Sequence, residues 1–140
     1  MNKTDHEKIQ QLIASYAYAL DTRDYDSLMI CFTSDATTVY AGHSDVLRGH
    51  EQIKAHMRRA LEPLEVTQHL FTNFIIDTDG DSGTVKCDIL AQHICKGEKY
   101  MAGGKYDVDV RRSADKWQIA RVSARSVWSE GNRAMLPKSG

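Results

Sequence analysis

Residues 66–128 read VTQHLFTNFIIDTDGDSGTVKCDILAQHICKGEKYMAGGKYDVDVRRSADKWQIARVSARSVW. Val66 to Asp77 is rich in β-branched and aromatic residues, which fit a pleated, half-buried surface. Asp79-Gly80 is a hairpin signal, and Lys96-Gly97 and Ser113 to Lys116 are further turns. Between them lie predicted strands at Thr84 to Cys95, Tyr100 to Arg112 and Trp117 to Trp128. Each connection is too short for a crossover helix, so the four strands are read as antiparallel.

The chain before this block reads as helices. Thr4 and Glu7 fit a capping box, so a helix begins near Asp5, and Ile9, Leu12, Ile13, Tyr16 and Leu20 recur at helical spacing. A second short helix is predicted over Asp24 to Cys31, a short strand over Thr37 to Ala41, and a third helix over about His50 to Leu61, stopped by Pro63. Helices followed by a run of strands give an α+β fold: a curved antiparallel sheet wrapped around N-terminal helices, a cone with a central pocket. Residues 1–140 form a single domain, with roughly Ala134 to Gly140 as a tail.

Composition narrows the function classes. A formal net charge of −1 over 140 residues gives no reason to expect nucleic acid or a membrane surface as partner. No apolar run approaches the ~20 residues of a membrane span. The polar opening, MNKTDHEK, has no signal-peptide apolar stretch, so the expected location is the cytoplasm. Cys31, Cys87 and Cys95 are odd in number and lack CxxC spacing, and read as buried or semi-buried thiols. His50 and His56 stand six apart, the wrong spacing for one helix face, and no calcium loop follows Asp77, Asp79 and Asp81. GxGxxG, P-loop and GxSxG motifs are absent, so neither metal nor cofactor is expected.

The candidate chemistry lies in Asp21 and His69. Imidazole can take and return a proton near neutral pH, and a carboxylate on its other nitrogen fixes the tautomer and stabilises the imidazolium. Asp24 is the better cap for the second helix, which leaves Asp21 without an obvious structural task. Asn73 shares a face with His69 and Phe71 at period two and is a candidate for orienting a substrate. Ile13, Leu20, Phe71, Ile89 and Val108 are the expected apolar lining. His6, His43, His50 and His56 read as solvated surface residues, and Gly103-Gly104 as a bulge that bends the sheet.

The stretches YAYALDTRDYDSLMICFTSDA, LRGHEQI, VTQHLFTNF and GGKYDVDVRRSADKWQIARV resemble the cone-shaped α+β superfamily of scytalone dehydratase, ketosteroid isomerase, SnoaL-type polyketide cyclase and nuclear transport factor 2. The nearest branch is the SnoaL-like group with scytalone dehydratase, hexachlorocyclohexane dehydrochlorinase and bile acid 7α-dehydratase. The resemblance implies that Asp21 and His69 are a catalytic dyad, that Tyr16 and Tyr40 fall at active-site tyrosines, and that His93 falls near a second histidine. Leu20 stands where scytalone dehydratase has tyrosine, Tyr16 where the active dehydrochlorinase has lysine, and Val122 near that enzyme's strand arginine. The expected function is a cofactor-independent lyase, a dehydratase acting on a small hydrophobic substrate of alicyclic, aromatic or steroid-like form. The alternatives are an isomerase or polyketide cyclase working through an enolate, and a non-catalytic binding or assembly module. A homo-oligomer is expected, trimer or dimer, with Trp117, Ile119 and Val127 covering the convex face.

Overall fold

The computed structural model describes residues 3–42 and 45–136. His43, assigned above to the surface, lies outside them. Helix α1 spans Asp5–Thr22, and Thr4 caps it by accepting the Glu7 backbone N–H at 3.2 Å. Helix α2 (Tyr25–Ile30) follows, capped by Asp24, whose carboxylate accepts from the Ser27 amide. Strand β1 (Phe32–Val39), the two-residue β2 (Leu47–Arg48) and helix α3 (Gly49–Leu61) precede the long strands β3 (Val66–Asp79), β4 (Ser82–Cys95), β5 (Glu98–Ser113) and β6 (Lys116–Gly131). A 3-10 turn at Arg133–Met135 ends the described chain.

The six strands form one curved, unclosed sheet in the order β2-β1-β6-β5-β4-β3. The run from β3 to β6 is an antiparallel meander, as the turn signals required. β1 joins it parallel to β6. It begins five residues earlier than predicted because Phe32, fully buried, docks beside Ile119, whose backbone N–H donates to the Cys31 carbonyl at 2.7 Å. β2 was not anticipated; two residues are too few to carry a pattern. The core lies between the helices and the inner sheet face, with Ile9, Ile13, Leu28, Ile53, Val85, Val108 and Val122 at its centre.

Several expectations are corrected here. Trp117 and Ile119 face this core rather than the outer face, at 4% and 1% exposure; the Trp117 Nε1–H donates to Asp5. Val127 is exposed as expected, beside Trp128. His56 is buried, because it stands three residues after Ile53 on the inner side of α3, and a His50 ring nitrogen lies 3.0 Å from the Phe32 carbonyl. Gly103-Gly104 does mark a register shift between β5 and β6. The indole of Trp128 lies where a side chain on Gly103 would stand.

Candidate active site

Asp21 sits in the last turn of α1, and the end of that helix is pinned. Arg23 adopts the left-handed C-cap conformation (φ 55°), and its backbone N–H returns to the carbonyls of Ala19 and Leu20. Its guanidinium donates to the carbonyls of Leu61, the last residue of α3, and of Leu64 just beyond it. β3 is an edge strand, so its outward N–H groups lack ladder partners. Asp21 Oδ2 accepts the backbone N–H of His69 at 2.9 Å, while Oδ1 lies 2.7 Å from His69 Nδ1 and accepts the Thr67 hydroxyl at 3.1 Å.

Burial disfavours the Asp21 carboxylate, but the bonds from the His69 ring and amide, the His69 charge and Thr67 outweigh it and hold its pKa below the ordinary value. An ionised carboxylate only accepts, so Nδ1 of His69 carries a proton, and in the neutral form of the ring the lone pair is on Nε2. His93, opposite Tyr100 on β5, donates Nδ1–H to the Tyr100 carbonyl at 3.1 Å, leaving its own Nε2 unprotonated. Burial lowers the His93 pKa against the opposing pull of that carbonyl, which keeps the ring neutral. The two imidazoles meet edge to face with centroids 6.1 Å apart.

Three tyrosines gather beside them. Tyr16 Oη lies 2.8 Å from Tyr40 Oη and 3.3 Å from Tyr106 Oη. Burial raises all three pKa values, that of Tyr106 to about 12, so each hydroxyl keeps its proton at neutral pH. The Tyr40 ring stacks parallel on His56 at 5.6 Å.

His69, His93, Tyr40, Tyr106 and Ile89 line a cavity of about 520 Å³. It continues into a narrower chamber of about 180 Å³ that reaches Tyr16, Leu20 and His56. Both volumes together suit a small ligand. Asp21 stands behind His69 and faces instead a groove between α1 and β3.

The structure thus brings Asp21, His69, Tyr16, Tyr40 and His93 together, with Leu20 and Ile89 in the lining. Phe71 packs its ring on Tyr16 and Tyr106 at 5.9 and 4.9 Å. Ile13 and Val108 are corrected to core positions, 2% exposed and below the cavity. Asn73 is corrected too. A bulge between Thr72 and Ile75 puts it at φ 58° and breaks the period-two count, and its amide donates to the exposed Asp88. Tyr106 and His56 were missed. Tyr106 stands two residues before Val108 and shares its face, a signal that period-two counting could have caught. Among the described residues no group of three or more His, Cys, Asp and Glu side chains is arranged to hold a metal.

This geometry sits in a fold with many relatives. An uncharacterized protein of Mycobacterium tuberculosis, Rv2910c, is 30% identical over 121 residues, covering 84% of this chain and 82% of that one. Two solved structures from Novosphingobium aromaticivorans superpose with TM-scores of 0.85. One, provisionally named an aromatic ring hydroxylase, is 26% identical and covers 94% of this chain and 95% of that chain. The other, provisionally named a scytalone dehydratase, is 20% identical and covers 96% and 91%. The hexachlorocyclohexane dehydrochlorinase LinA-type3 of Novosphingobium barchaimii superposes at 0.80 with 16% identity, covering 91% and 90%. The model of the SnoaL-like domain matches residues 2–123, and the chain belongs to that family.

Proposed function

We propose that this protein is a cofactor-independent lyase, a dehydratase that removes a proton next to the activating carbonyl of a small, compact hydrophobic substrate. The observation that carries this reading is the 2.7 Å contact between Asp21 and His69 Nδ1 at the wall of an open cavity. His69 Nε2 takes the α-proton, and the imidazolium that forms is stabilised by the Asp21 carboxylate. Tyr40, in bond with Tyr16, hydrogen-bonds the carbonyl oxygen as enolate charge develops. The hydroxyl on the next carbon leaves with the proton returned by His69. His93, neutral, accepts that hydroxyl's hydrogen bond through Nε2 and orients it.

An isomerase or cyclase would use the same base and the same tyrosines. His93 bears on dehydration by position only: its Nε2 accepts the substrate hydroxyl's hydrogen and holds that group beside His69, which supplies the proton its departure requires. A purely structural module would be favoured by a filled cone or a broken dyad, and neither is found among the described residues. Homo-oligomerisation belongs to the same proposal. Leu70, Leu90, Gly103 and Trp128 pair in register across the outer sheet face and leave an apolar row for a second copy.

The test is a panel of hydroxylated tetralones and related bicyclic ketones in D₂O, followed by mass spectrometry. Loss of one water marks a dehydratase, and deuterium incorporation at unchanged composition marks an isomerase. Neither change with the wild type, or equal change with His69→Gln, would sink the catalytic reading.

A further inference from the structure

The cavity has an unbalanced charge. Arg133 and Arg125 line it, and no carboxylate does among the described residues. Arg133 is held at the mouth by a short run of specialised backbone. Gly131 is at φ +101°, where a Cβ would overlap the Lys99 carbonyl, so only glycine turns the chain there. The Asn132 side chain accepts the Ala134 N–H at 3.0 Å and donates to Glu98, which fixes the turn that follows. The loop after Tyr40 leaves room opposite. Gly42 is at φ +84°, and a Cβ on it would stand 3.2 Å from Arg133 Nη2.

The guanidinium carries five N–H donors and spends one, Nη1 on the Tyr100 hydroxyl at 3.4 Å. It has no acidic partner among the described residues. Arg121 and Arg112, on the same sheet, are each paired with aspartate. An arginine that is braced, aimed at a cavity mouth and left without a carboxylate is arranged to meet one from outside.

We infer that the cavity takes an anionic substrate, an apolar ring system bearing a carboxylate that Arg133 holds at the mouth while the reacting carbon lies at His69. This rests on the lyase reading for the reacting end, and adds the chemistry of the other end. The acid group would lie away from the dyad, where the Asp21 charge would otherwise repel it.

Binding tests this without turnover. Titration calorimetry on the full chain compares 2-naphthoate with the uncharged 2-naphthamide. The expected result is about tenfold tighter binding of the carboxylate, shrinking at about 0.5 M sodium chloride. Arg133→Gln is expected to abolish the preference, and His69→Gln to retain it. Arg133 is exposed on the terminal turn, so its variant keeps the fold, checked by an unchanged melting curve. Equal affinity of the two probes for the wild type overturns the inference. So does a preference that survives Arg133→Gln, a preference lost in His69→Gln, or no binding of either probe at about millimolar concentration. None of these outcomes touches the dyad reading, which stands or falls on the deuterium experiment.

Discussion

Asp21 grips His69 at two points, its Oδ2 taking the backbone N–H at 2.9 Å and its Oδ1 facing ring Nδ1 at 2.7 Å. One carboxylate therefore sets both where the strand stands and how the ring turns on it. The same contact that closes α1 against the sheet edge also presents Nε2 to the cavity.

The two functions separate in Asp21→Asn. An amide oxygen can still accept from Nδ1–H, but it brings no charge to the imidazolium. Proton abstraction is expected to fall about 10²–10⁴-fold while the fold remains. The check is the rate of deuterium incorporation into the best ketone of the panel, beside a circular dichroism spectrum. His69→Gln is expected to be as slow, and the double variant no slower than either, since the pair acts as one unit.

Acid should weaken the same contact. The folded pKa of Asp21 lies below that of an unfolded aspartate, about 3.9. The stability this carboxylate contributes is therefore complete above that value and is lost as pH falls through the folded pKa. Urea midpoints at neutral pH and at about pH 3 are expected to differ less in Asp21→Asn than in the wild type. An equal pH dependence in both would mean that the contact contributes nothing to folding.

Tyr40 and Tyr106 flank the same Tyr16 hydroxyl, but the proposal gives only Tyr40 a contact with the substrate oxygen. Tyr40→Phe is expected to cost about 10²-fold in rate, the magnitude of one lost oxyanion donor. Tyr106→Phe should cost less in rate and about 1 kcal/mol in stability, from one lost buried hydrogen bond. Comparing rates with unfolding midpoints for the two variants separates a catalytic hydroxyl from a supporting one.

Local chemistry made much of this legible. The Thr4 cap, the Asp79-Gly80 turn and the alternation along β4 and β5 are encoded within a few residues, and they are where the pattern placed them. Features set by distant parts of the chain were not legible. β1 starts at Phe32 because Ile119, far along the sequence, receives it. Asn73 left its expected face because a bulge inserted an extra residue, and the sequence TNFII carries no glycine to announce one. Asp21 and His69 were singled out by their chemistry and by Asp21 having no capping task, and Tyr16, Tyr40 and His93 entered as candidates through family register. Tyr106 shares the inward face expected of Val108, whereas His56 was read as a surface residue although it follows Ile53 by three on α3. An inward-facing polar residue looks the same whether it serves a core or a pocket. Arg133 stands between the last predicted strand and the stretch read as tail, where no pattern pointed to it, and only the folded chain brings it to the cavity mouth.

The two adjacent glycines of β5 should respond differently to the same added methyl group. At Gly103 a Cβ would overlap the indole of Trp128, which is 47% exposed in the single chain and can clear the methyl group by swinging outward unless a second copy covers it. At Gly104 it would overlap the backbone carbonyl of Arg125, which cannot move without shifting β6 against β5. Gly103→Ala is therefore expected to change tryptophan fluorescence while leaving the urea midpoint nearly in place. Gly104→Ala is expected to lose about 1–3 kcal/mol, the usual cost of forcing an extra methyl group into a packed site. Because Gly104 also lines the cavity, its replacement should weaken binding of 2-naphthoate as well. If Gly103→Ala were the more damaging of the two, Trp128 would have to be held in place by something covering it. That would locate the partner surface on the outer sheet face, and sedimentation of the two variants would show it as a difference in assembly.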